Sequence, residues 1–124
     1  MKRKKVAISD AVACYNFTLA FGQFLDDFRL APDEEKYNLI AEEPSREGVD
    51  SVVLSHVAAA VHKLANDNGL DAPQWVHDPV YIMPEPFYAR NAQNVEFQRY
   101  LHETSPPEYA ARNVFFGDNV LSRV

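Results

Sequence analysis

Hydrophobic residues recur every three or four positions over several stretches of the chain, which is the spacing of amphipathic helices. The first and longest stripe consists of Cys14, Phe17, Phe21, Phe24 and Phe28. Ser9 lies before this stripe as a candidate N-cap, and Pro32 follows its last residue, Ala31. The spacing therefore predicts one long helix, from Ser9 to Ala31, at the centre of a helical bundle.

Shorter helices are predicted after this one. They are Tyr37–Ala41, a helix over residues 51–68, a helix that begins at Asn94, and Glu108–Arg112. Asp50 or Ser51 is the expected cap of the 51–68 helix, and Gly69 follows that helix as a residue suited to its C-terminal turn. Ser105 is the expected cap of the last helix, because prolines follow it at the first turn.

The stretch from Gly69 to Tyr88 has the weakest helical character. It contains four of the eight prolines, and proline removes a backbone donor and favours extended geometry in the residue before it. It is also too hydrophobic for a solvated linker. We expect an ordered extended segment that packs across the helices and ties them to Asn113–Phe116. Core packing is expected for its aromatic residues, and a ligand pocket is the alternative for Trp75, Tyr81, Phe87 and Tyr88.

The composition indicates one mostly helical domain. A chain of 124 residues has the size of a single domain, and its 47% hydrophobic residues are enough for one core. Glycine is scarce, with four residues, which argues against a turn-rich β-sandwich. We therefore predict an all-α fold: a compact helical domain at residues 9–124, crossed by the extended segment, after a flexible basic arm at residues 1–8.

Two features favour a cytoplasmic location. The single cysteine, Cys14, permits no internal disulfide, and its place in the helical stripe predicts a buried reduced thiol. The longest apolar patterns contain charged residues, so no membrane span is expected. Residues 2–5 resemble the basic start of a signal peptide, but Asp10 and Asn16 interrupt the apolar stretch after them, and export is not expected.

Negative charge is concentrated in one part of the chain. The net charge is −6 and the isoelectric point about 5.1, which disfavours nucleic-acid binding by the domain. Residues 26–50 contain the carboxylates of Asp26, Asp27, Asp33, Glu34, Glu35, Glu42, Glu43, Glu47 and Asp50. This acidic face is either a solvated surface or a docking surface for a basic protein partner. The arginines that flank aromatic residues in the C-terminal third either pair with carboxylates or anchor a partner: Arg90, Arg99, Arg112 and Arg123.

The residue types that carry catalysis or bind metals form no familiar arrangement. His56 and His62 are six positions apart on one predicted helix and point to different faces, and no zinc or calcium motif is present. Ser55 and His56 are adjacent on that helix and therefore diverge, which is unsuited to a nucleophile and its base. No glycine-rich phosphate loop is present. We therefore predict a protein that is not an enzyme, with no cofactor and no metal.

Motifs over most of the chain resemble those of a small bacterial domain family. The main pattern is Ala65-x-x-x-Gly69-Leu70-x-x-Pro73-x-Trp75-Val76-x-x-Pro79-x-Tyr81, followed by Pro84-x-Pro86-Phe87-Tyr88 and by Arg112-Asn113-Val114-Phe115-Phe116-Gly117-Asp118-Asn119-Val120-Leu121. Phe24-Leu25-Asp26-x-Phe28 and Ile40-Ala41-Glu42-Glu43-Pro44 fit the same pattern. Such domains occur alone or behind helix-turn-helix domains, and they are often similar to the protein that accompanies a nucleotidyltransferase-like toxin.

The resemblance implies an antitoxin-like function in a toxin–antitoxin system. Such a protein binds its toxin and masks the active site, and an anionic surface suits a basic nucleotide- or RNA-binding cleft. No helix-turn-helix segment is found ahead of the domain, so DNA binding is not carried over. The candidate partner-binding residues are Asp26, Asp27, Glu34, Glu35, Glu42, Glu43, His77, Asp78 and Glu85. The alternative is a small-ligand-binding or regulatory module that uses the aromatic segment at residues 73–88.

Overall fold

Six α-helices and one pair of short strands form the regular structure of residues 4–121, the part of the chain that this computed structural model describes. The helices are α1 (Ile8–Ala13), α2 (Phe17–Leu30), α3 (Asp33–Ile40), α4 (Ser51–Asp67), α5 (Val95–Thr104) and α6 (Pro107–Ala110). The strands are β1 (Phe87–Tyr88) and β2 (Val114–Phe115), and short 3-10 turns cover Gln74–His77, Pro79–Tyr81 and Ala89–Asn91. The prediction of an all-α fold is confirmed.

The prediction of one long N-terminal helix from the apolar stripe is wrong, because the chain breaks between α1 and α2. The side chain of Asn16 caps α2 by accepting a hydrogen bond from the backbone N–H of Leu19 at 3.2 Å. The break lets α1 pack against α2 and α3, with Ile8 fully buried. Cys14 lies at the break and is exposed, so the expected buried thiol is also wrong.

Helix α4 occupies the centre that the stripe pattern assigned to the N-terminal helix. Its residues 57–61 have no exposed surface and consist of valines and alanines. Because three of them are alanines, neighbouring elements approach α4 closely, and it contacts α6, β2 and the first two 3-10 turns. The core therefore surrounds α4, and Phe24 and Phe28 of α2 belong to it.

The segment at residues 70–88 contains no α-helix, as predicted, but the two 3-10 turns interrupt its extended course. Ser55 of α4 holds it by donating from Oγ to the carbonyl of Tyr81 at 2.5 Å. Its far end pairs with the C-terminal stretch, since β1 and β2 are parallel with Phe87 opposite Val114. The N–H of Phe87 donates to the carbonyl of Asn113 at 2.8 Å. The predicted link between these two stretches is confirmed.

The ends of the helices show which cap predictions hold. The side chain of Asn94 caps α5 by accepting from the N–H of Phe97 at 3.1 Å. Gly69 follows α4 with a φ of 68°, the left-handed geometry expected at this position. The predicted capping role of Ser105 is wrong: Pro106 occupies the N-cap of α6, and Ser105 Oγ accepts from the N–H of Gly117 at 3.0 Å.

Part of the predicted basic arm packs on the domain. Lys5 forms an ion pair with Glu35, the N–H of Val6 donates to the carboxylate of Asp27 at 2.8 Å, and Ile8 is already inside α1. The first three residues of that arm, and Arg123 near the other end, lie outside the described residues.

Candidate functional site

An acidic surface covers the first turn of α3 and the loop that follows this helix. We use this name for Asp33, Glu34, Glu35, Glu42, Glu43 and Glu47, all of which are exposed. These six carboxylates outnumber the cations of the same region, which are Lys5, Lys36 and Arg46. The field of this region is therefore negative.

Exposed apolar side chains lie beside these carboxylates. Leu30, the last residue of α2, is 77% exposed, and Tyr37 of α3 is 40% exposed. Tyr37 shares the outward face of α3 with Glu34, because the two are three residues apart and the opposite face buries Leu39 and Ile40. Exposed apolar anchors surrounded by charge are the usual composition of a protein-binding surface. Sequence reasoning missed Leu30, since it continues the helical pattern of α2.

Two of the predicted partner-binding residues, Asp27 and Glu43, form hydrogen bonds within the domain. Asp27 is 6% exposed and accepts hydrogen bonds from the N–H of Val6 and from Gln23 Nε2 at 3.1 Å, so it does not lie on the surface. Asp26 beside it is half-buried. Glu43 is exposed, but it accepts a hydrogen bond from the Tyr81 hydroxyl and lies 3.9 Å from Arg46 Nε. Burial, and then this bond to Glu43, raise the pKa of Tyr81.

The remaining predicted residues lie on the segment at residues 70–88 and not on α3. His77, Asp78 and Glu85 are all exposed. The carboxylate of Asp78 accepts from the N–H of Val80 at 3.0 Å and so caps the second 3-10 turn. The ring of His77 stands edge-on to that of His62 of α4, with 5.1 Å between centroids. The nine predicted residues therefore lie on α2, on α3, in the loop after α3 and on the 70–88 segment.

The aromatic residues of this segment form three separate ring contacts rather than one pocket. Trp75 meets Tyr81 edge-on at 5.7 Å, and its indole N–H donates to the carbonyl of Ile40 at 3.1 Å. Phe87 lies 5.9 Å from Phe116. Tyr88 stacks on Phe115 at 5.5 Å. Trp75 is half-buried at the edge of the core.

Ser55 and His56 diverge, as predicted. The hydroxyl of Ser55 donates to the Tyr81 carbonyl, whereas His56 lies among Phe21, Tyr109 and Phe116. Burial lowers the pKa of His56 from 6.5 to about 4, so the ring is neutral at neutral pH. Its Nδ1 and the Tyr109 hydroxyl share a hydrogen bond at 3.0 Å. These contacts are structural.

A cavity that sequence reasoning did not find lies between α4, the 70–88 segment and the end of α6. It measures about 180 Å³, and its polar wall contains Arg112, His62 and His77. Arg112 is only 5% exposed, although alanine and asparagine flank it just as they flank the exposed Arg90. Its partners are distant in the chain, so no local pattern identifies it.

Within residues 4–121, no group of three or more His, Cys, Asp and Glu side chains is placed to bind a metal ion. None of the helices in this range is long and apolar enough to cross a membrane. Comparisons with known proteins find no matching family model, no matching curated protein and no matching solved structure.

Proposed function

We propose that this protein is an antitoxin-like binding protein of the bacterial cytoplasm that covers the basic active-site cleft of a nucleotidyltransferase-like toxin. The observation that carries the proposal is the acidic surface with Leu30 and Tyr37 exposed beside it. The motif resemblance over most of the chain supports the same kind of partner.

Charge and exposed apolar surface have separate roles in this proposal. The carboxylates of Glu34 and Glu42 attract and orient a basic cleft, which mainly raises the association rate and excludes acidic partners. Leu30 and Tyr37 supply apolar area that is buried only in the complex, which mainly slows dissociation. Masking the cleft blocks access of nucleotide or RNA without chemistry by this chain.

Coexpression with the product of the neighbouring gene, followed by size-exclusion chromatography, tests the proposal. The charge-reversal variant Glu34→Lys/Glu42→Lys is compared with Glu96→Lys/Glu103→Lys, which makes the same charge change on exposed positions of α5. We expect the unchanged protein and the α5 variant to coelute with the toxin. The acidic-surface variant is expected to bind about tenfold or more weakly, equivalent to about 1.4 kcal/mol.

The same variants are then scored for growth of cells that produce the toxin. Rescue by the unchanged protein and by the α5 variant, but not by the acidic-surface variant, is the expected result. Separate elution of the two unchanged proteins at micromolar concentration, or equal binding by both charge-reversal variants, would show that the proposal is wrong.

A further inference from the structure

Arg112 holds a buried positive charge without a carboxylate partner. One Nη2–H donates to the carbonyl of Val76 at 2.7 Å, and one Nη1–H donates to the carbonyl of Glu108 at 2.8 Å. The Glu108 carboxylate instead accepts from Asn66 at 2.9 Å. Among the residues that the structure describes, no carboxylate lies within ion-pair distance of the guanidinium. Burial lowers the pKa of Arg112, but an arginine keeps its charge in proteins.

Two N–H groups of this guanidinium remain for a further acceptor. Arginine has five N–H donors, and within residues 4–121 the acceptors are the two carbonyls and Nδ1 of His62 at 3.3 Å from Nη1. Because arginine only donates, His62 Nδ1 accepts, and the proton of the neutral imidazole is on Nε2. Burial, followed by the charges of Arg112 and His77, lowers the pKa of His62.

The cavity beside this charge has the size and walls for a small ligand. It measures about 180 Å³, and Val76, Ile82 and Ala111 form its apolar side. His62 and His77 also line it, and a protonated imidazole donates from both ring nitrogens. Asp78 also lines the cavity, where its Oδ1 accepts from the N–H of Val80, and its negative charge opposes the positive charge of Arg112 at a bound anion.

We propose that this cavity binds an oxyanion, the carboxylate or phosphate group of a small molecule, with Arg112 as the charged anchor and His62 and His77 as additional donors. A guanidinium with unused N–H donors is the side chain best suited to bind a carboxylate or a phosphate. The cavity is lined by α4, the 70–88 segment and the end of α6, whereas the acidic surface lies on α3 and the loop that follows it.

Protonation strengthens the site. The charged groups around His62 are Arg112 and Glu108 from the end of α6 and His77 and Asp78 from the 70–88 segment. Arg112 and His77 disfavour a proton on His62, and a bound anion offsets their effect. Because the pKa of His62 lies below its usual 6.5, anion affinity increases as the pH falls below about 6.5.

NMR titration of the histidine ring resonances tests the proposal, with sodium phosphate, sodium acetate and sodium chloride at matched ionic strength. We expect saturable shifts of His62 and His77 with phosphate, acetate or both, with a dissociation constant on the order of 1 mM. His56 and His102 are internal controls and should not move. Saturable shifts with phosphate alone identify a phosphate site, and saturable shifts with acetate alone identify a carboxylate site.

Two variants complete the test. Arg112→Lys removes the guanidinium group, but it also removes hydrogen bonds that hold the fold. His77→Ala is therefore the second variant. The ring of His77 is exposed and bonds no backbone group in the described residues. His77→Ala should weaken anion binding about tenfold. Shifts no larger than those in chloride, or linear shifts of all four histidines, would overturn the proposal.

Discussion

The buried histidine of α4 gives the protein a specific sensitivity to acid. His56 lies among aromatic rings, 5.0 Å from Phe21 and 5.1 Å from Phe116 between centroids, and its Nδ1 is hydrogen-bonded to the Tyr109 hydroxyl. Burial lowers its pKa from 6.5 to about 4 in the folded protein. As the pH falls below 6.5 the unfolded chain binds a proton at His56 and the folded protein does not, so the free energy of unfolding falls until about pH 4.

The pKa difference sets the size of the effect. It corresponds to a loss of about 3 kcal/mol in the free energy of unfolding between pH 6.5 and about pH 4. This value is an upper bound, because the His56 ring keeps some contact with solvent. The matched control is His56→Phe/Tyr109→Phe, which replaces the titrating ring and its hydroxyl partner together. Removing both partners costs far less than leaving one of them unpaired.

Urea unfolding followed by circular dichroism, between neutral pH and about pH 4, measures the difference. The unchanged protein should lose up to about 3 kcal/mol more than the double variant, because all other titrating groups are common to both. Parallel curves of stability against pH for the two proteins would refute the assignment of His56 as a neutral buried ring.

Three further predictions concern the stability of the fold, each measured by urea unfolding. Gly69→Ala should cost about 1 kcal/mol, because φ is 68° while the space for a methyl group is open; an unchanged midpoint would contradict this. Trp75→Phe should cost about 1–3 kcal/mol, because the Ile40 carbonyl loses its donor, and a smaller loss would show that water replaces the indole. Asp27→Ala should cost about 1–3 kcal/mol through the unpaired N–H of Val6, whereas the exposed control Glu96→Ala should stay within about 0.5 kcal/mol.

The helices that could be predicted are those whose start or end has a local chemical cause. Asn94 at the start of α5 and Gly69 after the end of α4 are examples, since a side-chain cap and a left-handed turn depend on immediate neighbours. The break before α2 was not predicted, because Cys14 and Phe17 keep helical spacing across it. Asn16 was the available signal, as a good N-cap residue inside an apparently continuous stripe.

The candidate sites depend more on contacts between distant residues. The negative charge at Glu34 and Glu42 was evident from composition, but the burial of Asp27 follows from the N-terminal residues that pack over it. Arg112 is buried where its guanidinium donates a hydrogen bond to the carbonyl of Val76, 36 positions away in the chain. Such a pairing depends on the path of the 70–88 segment over α4, which no spacing rule provides.

Hydrogen exchange of the protein, alone and in complex with the product of the neighbouring gene, tests the central claim most directly. Binding at the acidic surface should slow exchange of the amides in the loop at residues 41–48, which lies outside the helices and is open to solvent in the free protein. The amides of α5 should exchange at the same rate in both states. Protection confined to α5, with no change at residues 41–48, would contradict the proposed binding surface.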